Sequence, residues 1–352
     1  MSELMQYLER VVADGASDLF FVAGAPASEK LEGVLRSIGG EKLMPDRTEK
    51  LIREIYNLSG RVMEEQLAGG DDDFSFSIAG FSRFRVSAYR QRGSYAAVIR
   101  VVPFEVPDWE KIGVPAQVME LAGLTSGMVL FTGTAGSGKS TTQACIVDRI
   151  NRTRACHVIT LEDPIEYLHR NRMSIVSQRE VTVDTGDYLT ALRACLRQAP
   201  DVIQLGEMRD LDTIRTAITA AETGHLVFAT LHTRGAVNSI DRVIDSFPSD
   251  QQNQIRLQLS SVLHSVVSQQ LLPGIDGQTV AAFEVLHTNN AIRSMIRDSK
   301  NHLIPGAIAG GGAEGMISMD QAILDLYRQG RITLETALHH ADNPEQIQRR
   351  LY

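Results

Sequence analysis

Three cysteines in 352 residues, Cys145, Cys156 and Cys195, lie far apart and form no Cys-x-x-Cys pair. Neither a disulfide framework nor a zinc site is therefore encoded, and a reducing compartment fits best. No stretch approaches the roughly 20 apolar residues of a membrane-spanning helix. The opening MSELMQYLERVVADGASDL carries charges throughout, so it reads as an amphipathic helix and lacks the apolar run of a secretory signal. The expectation is a cytoplasmic protein that reaches a membrane only by docking onto something embedded there. Positive charge is also scarce: 35 Lys+Arg stand against 43 Asp+Glu, a net charge of −8. Such a surface repels a phosphate backbone, which argues against nucleic acid as a partner. What is present, 43% hydrophobic and 22% charged residues, suffices for two cored domains.

From Phe74 to Val102 apolar and polar residues alternate, with breaks at Gly80 and Gly93, the pattern of antiparallel strands with one buried face. Helical spacing over Met5 to Ala13 and Arg47 to Leu67, and a strand near Leu19 to Val22, complete an α+β domain over residues 1–105. Pro107 and Pro115 punctuate a linker at 106–115. Over 116–352 short apolar strands (MVLFT, CHVITL, VIQL, HLVFATL) alternate with helices, which predicts an α/β fold on a parallel sheet. The segment Gln252 to Leu271 reads as a helix with Ile255, Leu259, Val262, Leu263, Val266 and Val267 on one stripe. Further helices near Asn290 to Arg297 and Met319 to Gln329 make 271–352 a mainly helical subdomain. Gly310-Gly311-Gly312 reads as a flexible loop.

Gly133-Thr134-Ala135-Gly136-Ser137-Gly138-Lys139-Ser140 is a complete Walker A match between a predicted strand and a predicted helix. Its glycines let successive N–H groups converge on phosphate oxygens at a helix N-terminus. Lys139 is assigned to the β- and γ-phosphates and Ser140 to Mg²⁺, with Thr141 completing the nucleotide set, so ATP and Mg²⁺ are the expected cofactors. Val202 to Leu205 is an apolar strand leading into Glu207, placed to reach Mg²⁺ or the attacking water. Gln204 is a polar intrusion that needs partners if both sheet faces are covered. After the strand CHVITL come Glu162, Asp163 and Glu166. Glu162 is a candidate general base on water, with Asp163 and Glu166 shaping metal or neighbour contacts.

Walker A, Glu162-Asp163-Pro164, Gly206-Glu207-Met208-Arg209-Asp210 and Glu222-Thr223-Gly224-His225 through His232-Thr233 occur in one order. In this the chain resembles the secretion ATPases of type IV pili, with their Walker A, Asp box, Walker B and His box. Arg83-Phe84-Arg85-Val86 and Gln91-Arg92-Gly93 resemble the arginine-bearing strands of that family's N-terminal PAS-like domain, and the resemblance implies a RecA-like ATPase domain after it. Ala291-Ile292-Arg293-Ser294-Met295-Ile296-Arg297-Asp298 is similar to the AIRNLIRE motif of the retraction branch, differing at Ser294, Met295 and Asp298. From spacing alone it is an amphipathic helix with Arg293 and Arg297 paired outside. Residues 23–30 lack the family's paired prolines, and the glycine-rich loop at 306–315 diverges.

The resemblance implies that His232 senses the γ-phosphate, leaving His225 open between site and scaffold. It also implies that an arginine of the first domain approaches the nucleotide. Arg85, Arg92 and Arg100 are the candidates, with Arg92 and Arg100 favoured. By the same resemblance the chain forms a homo-hexamer at the inner membrane that powers pilus retraction, or extension or an accessory retraction role, on an embedded platform protein and alongside a paralogous retraction ATPase. A P-loop kinase is the alternative from another class.

Overall fold

Large apolar side chains at every second position bend the first part of the chain into a sheet with one buried face. The computed structural model describes residues 2–31 and 33–351, in two units, Met1–Glu105 and Val106–Tyr352. The first unit contains α1 (Glu3–Ala13), β1 (Asp18–Val22), β2 (Pro26–Leu31), β3 (Val34–Lys42), α2 (Pro45–Ser59), α3 (Met63–Gln66), β4 (Asp71–Ile78), β5 (Ser82–Gln91) and β6 (Ser94–Val102). The strands lie in the order β3-β2-β1-β6-β5-β4 and all pairs are antiparallel. Phe74, Phe76, Phe84, Val86, Ala97 and Ile99 face Leu51, Ile52, Ile55 and Tyr56 of α2 and Leu4 and Leu8 of α1. Pro45 opens α2, and Gly60 closes it at φ 70°, a left-handed cap that suits glycine. β2 and β3 were not expected, because β3 is a sheet edge that buries only Ile38 and so shows no apolar alternation.

The second unit runs α4 (Ala116–Met119), β7 (Gly127–Thr132), α5 (Lys139–Thr153), β8 (His157–Glu162), β9 (Ile175–Glu180), α6 (Tyr188–Cys195), β10 (Val202–Leu205), α7 (Leu211–Glu222), β11 (Leu226–Leu231), α8 (Ala236–Asp245), α9 (Ser249–Val262), β12 (Leu263–Pro273), β13 (Thr279–His287), α10 (Asn290–Arg297), α11 (Ile304–Gly310), α12 (Met319–Arg328), α13 (Leu334–His340) and α14 (Pro344–Leu351). Its sheet order is β13-β12-β7-β11-β10-β8-β9, parallel except for β13. One face packs on Ile146, Val147 and Ile150 of α5, the other on α6 to α9. Every βα turn therefore opens at the same sheet edge. Cys145 and Cys195 are buried, Cys156 half-buried, and none is disulfide-bonded. Burial pushes the Cys145 thiol up to about 12 and Cys195 up to about 11.

Three expectations are corrected. The helix read over Gln252 to Leu271 ends at Val262, and Leu263, Val266 and Val267 lie in β12. That run of apolar and β-branched residues pairs in parallel with β7, and the sheet partner overrides the helical spacing. The end of β12 and β13 open the region 271–352, which is helical from Asn290 onward. Gly310–Gly312 is no loose loop: Gly310 ends α11, Gly312 begins a 3₁₀ turn, and a Cβ on Gly311 would meet Met316 Cε at 2.5 Å. Residues 106–115 belong to the second unit, where Val106, Trp109, Ile112 and Val114 pack on the α5 side of the core.

Candidate nucleotide site

The turn from β7 into α5 is shaped by a strand far along the chain. A Cβ on Gly133, at φ 140°, would lie 2.4 Å from the Gln269 carbonyl oxygen of β12, and one on Gly138, at φ 88°, 2.7 Å from Gln269 Nε2. Only glycine supplies both the backbone geometry and the missing volume. Thr142 Oγ1 donates to Gln269 Oε1 at 2.9 Å, fastening α5 to the same side chain. Thr134, Ala135 and Gly136 are exposed at the tip, while Ser137 and Lys139 are buried. Lys139 Nζ donates to the carbonyls of Gly133 and Thr134, both at 2.8 Å. Burial depresses its ammonium, opposed by the fields of Glu166 and Glu207. Ser140 is the second residue of α5, after Lys139, and Thr141 Oγ1 lies 3.1 Å from Tyr167 Oη.

The acids gather on the same edge. Glu162 ends β8 with its side chain inside: Thr160 Oγ1 donates to Glu162 Oε1 at 2.6 Å and Gln178 Nε2 at 3.1 Å. Burial drives its carboxyl above the usual carboxylate range, and those two donors and the Glu166 backbone N–H pull the other way. Glu207 follows β10, salt-bridged to Arg209, with His232 Nε2 3.2 Å from its Oε2. A Cβ on Gly206 would meet Tyr188 Oη at 2.6 Å and the Leu161 carbonyl oxygen at 3.0 Å, so a larger residue would displace the tyrosine from the strand end. The structure thus brings together Lys139, Ser140, Glu162, Glu207 and His232.

Others lie elsewhere. His225 sits at the opposite end of β11, its Nδ1 3.0 Å from the Ala220 carbonyl, bracing the turn. Arg85, Arg92 and Arg100 are on the first unit. Arg85 and Arg100 are cross-strand partners, and Arg92 occupies the β5–β6 turn at φ 48°. Arg100 Nε donates to Asp18 Oδ1 at 2.8 Å. Gln204 is buried, but its Oε1 has no partner among the described residues. Arg293 and Arg297 do not form an outward pair. Arg293 Nη1 donates to the Ser260 and Ser261 carbonyls at 2.7 Å each, capping α9, while Arg297 bonds Ser294 Oγ. Gln178, Arg209, Tyr188 and Gln269 were not singled out from the sequence. Arg209 had a signal beside Glu207, whereas Gln269 had none.

The family model described as type II/IV secretion system protein matches residues 1–293. The chain belongs to that family. This secretion-system protein is 42% identical over 343 residues, 97% of itself and 99% of the relative, to the type IV pilus retraction ATPase PilT of Pseudomonas aeruginosa. It is 41% identical over 319 residues, 90% of itself and 85% of the relative, to a twitching motility protein of Neisseria gonorrhoeae. The crystal structure of the pilus retraction motor PilT with bound ADP superposes with a TM-score of 0.90 at 43% identity, covering 99% of each chain. The secretion-system protein has an α/β fold, is an ATPase and binds nucleotide.

Proposed function

We propose that this ATPase is a hexameric motor that powers type IV pilus retraction, and hence twitching, by disassembling the pilus at an inner-membrane platform protein. The observation that carries the reading is one sheet edge presenting Lys139, Glu162, Glu207 and His232 around a strained glycine loop, in a chain similar over nearly its whole length to a pilus retraction ATPase. The first unit is a PAS-like domain and the second a RecA-like domain with a C-terminal helical subdomain. No helix among the described residues is long and apolar enough to cross a membrane, so attachment runs through the pilus machine, where a paralogous retraction ATPase is a further partner.

In turnover Lys139 leaves the Gly133 and Thr134 carbonyls for the β- and γ-phosphates. Glu162 takes the proton of the attacking water, a task served by a carboxyl held above its ordinary range. Glu207, kept in place by Arg209 and His232, orders the metal side, and His232 reads the γ-phosphate. Mg²⁺ would bind through Ser140 and Glu207 and supply neutralising charge. Among the described residues no cluster of three or more His, Cys, Asp or Glu could hold a metal unaided, which suits an ion that arrives with its nucleotide. Of the first unit's arginines, Arg92 has no ion pair among the described residues and acts on the transition state, as does Arg100 once it leaves Asp18. The test is deletion of the gene with complementation, scored for surface pili and twitching, beside the size of the purified protein with ATP. Abundant pili without twitching, restored by the wild-type chain, and a six-subunit particle are expected. Normal twitching in the deletion strain, or a monomer with phosphotransfer activity, overturns the reading.

A further inference from the structure

Glu284 of β13 has no place in the phosphate site, yet it is 7% exposed, and a carboxylate is costly to bury without donors. Its Oε1 accepts the backbone N–H of Ala236, the first residue of α8, at 2.6 Å. Burial raises this carboxyl, and the backbone N–H groups of Ala236 and of Met319, the first residue of α12, pull it back down. It therefore sits where the positive ends of two helix dipoles meet. Its cross-strand partner Ser268, buried on β12, accepts the N–H of Gly235 at 3.0 Å. Gly235, at φ 80°, ends the loop that begins with His232. On its other side Ser268 pairs with Thr132, the residue before the phosphate loop, and the next residue, Gln269, presses on Gly133 and Gly138. The β12–β13 pair is thus a common mount for the phosphate loop and the His232 loop. Ile317, just before α12, is bonded in both directions to Val285 of β13.

We propose that Glu284 is a positioning residue for ATP hydrolysis: through the N-terminus of α8 it sets the His232–Gly235 loop against the phosphate loop, and through α12 it ties that setting to the C-terminal helices. The proposal rests on the reading that the His232 loop takes part in turnover. Glu284→Gln keeps the shape and one acceptor oxygen, but its amide cannot accept on both sides and its charge is gone. The experiment compares steady-state turnover and thermal melting of the purified full chain as wild type, Glu284→Gln, His232→Ala and the double variant. Glu284→Gln is expected to lower kcat about tenfold with KM for ATP within about twofold. The double variant should be no more than about twofold slower than His232→Ala, because both changes disable one loop.

Turnover of Glu284→Gln within twofold of wild type overturns the proposal, as do losses that multiply in the double variant. If His232→Ala turns over normally while Glu284→Gln is slow, the loop is positioned by Glu284 but His232 is not its working residue. The reverse result leaves His232 standing and removes Glu284. Should Glu284→Gln fail to fold, Ser268→Ala decides: kcat must fall at unchanged KM, and wild-type kcat overturns the proposal.

Discussion

Lys139 is held in this structure by the carbonyls of its own loop, and no core apolar group depends on it. Lys139→Ala is therefore expected to abolish turnover and leave the melting temperature within a few degrees of wild type. Turnover within a factor of two of wild type would remove the phosphate-site assignment. Glu162 gives a prediction with two signs. Its folded carboxyl titrates above its unfolded one, so the stability it contributes is complete below the unfolded value and is lost as pH rises through the folded value. Glu162→Gln should accordingly melt higher than wild type at neutral pH, with the gain fading in acid, while turnover falls steeply. Thr160→Val removes a donor that lowers this carboxyl, so the acid limb of the pH–rate profile should move upward. If Glu162→Gln hydrolyses ATP normally and Glu207→Gln does not, the two carboxylates exchange roles.

Local strings were readable as elements where one strand or turn carries its own signal. The phosphate loop and the acids after β8 and β10 were read in order because each lies at the end of an apolar strand, whereas the role given to His232 came from the family resemblance. β12 was misread because Val262, Leu263, Val266 and Val267 satisfy a helical stripe and a buried strand alike, and only pairing with β7 decides between them. Gln269 and Glu284 were invisible for the same reason, the bond from Thr142 to Gln269 spanning 127 positions. The α10 motif shows the converse, since its helix was foreseen and the use of its arginines was not. Arg293 satisfies the last carbonyls of α9, so Arg293→Ala should destabilise the protein by about 1–3 kcal/mol. Arg297, bonded only within its own helix turn and 4.0 Å from Asp298, should change stability by less than about 0.5 kcal/mol when made Ala. Equal melting temperatures for the two variants would refute the capping role.

At the scale of the whole molecule, composition argued against a disulfide framework, but it could not say what the three thiols would be like once folded. Cys145 and Cys195 are buried, with their thiols pushed up to about 12 and about 11, so at neutral pH almost no thiolate is present at either. Cys156, just before β8, is half-buried, its Sγ 3.3 Å from Ser174 Oγ. A maleimide dye offered to the native protein should couple at about one position per chain, and at all three cysteines in denaturant. Mass spectrometry of the tryptic peptides checks both stoichiometries. The wild-type chain thus carries its own address for a fluorophore, at the mouth of the strand whose far end holds Glu162. Energy transfer between singly labelled subunits would follow the proposed hexamer through its nucleotide cycle without an engineered residue.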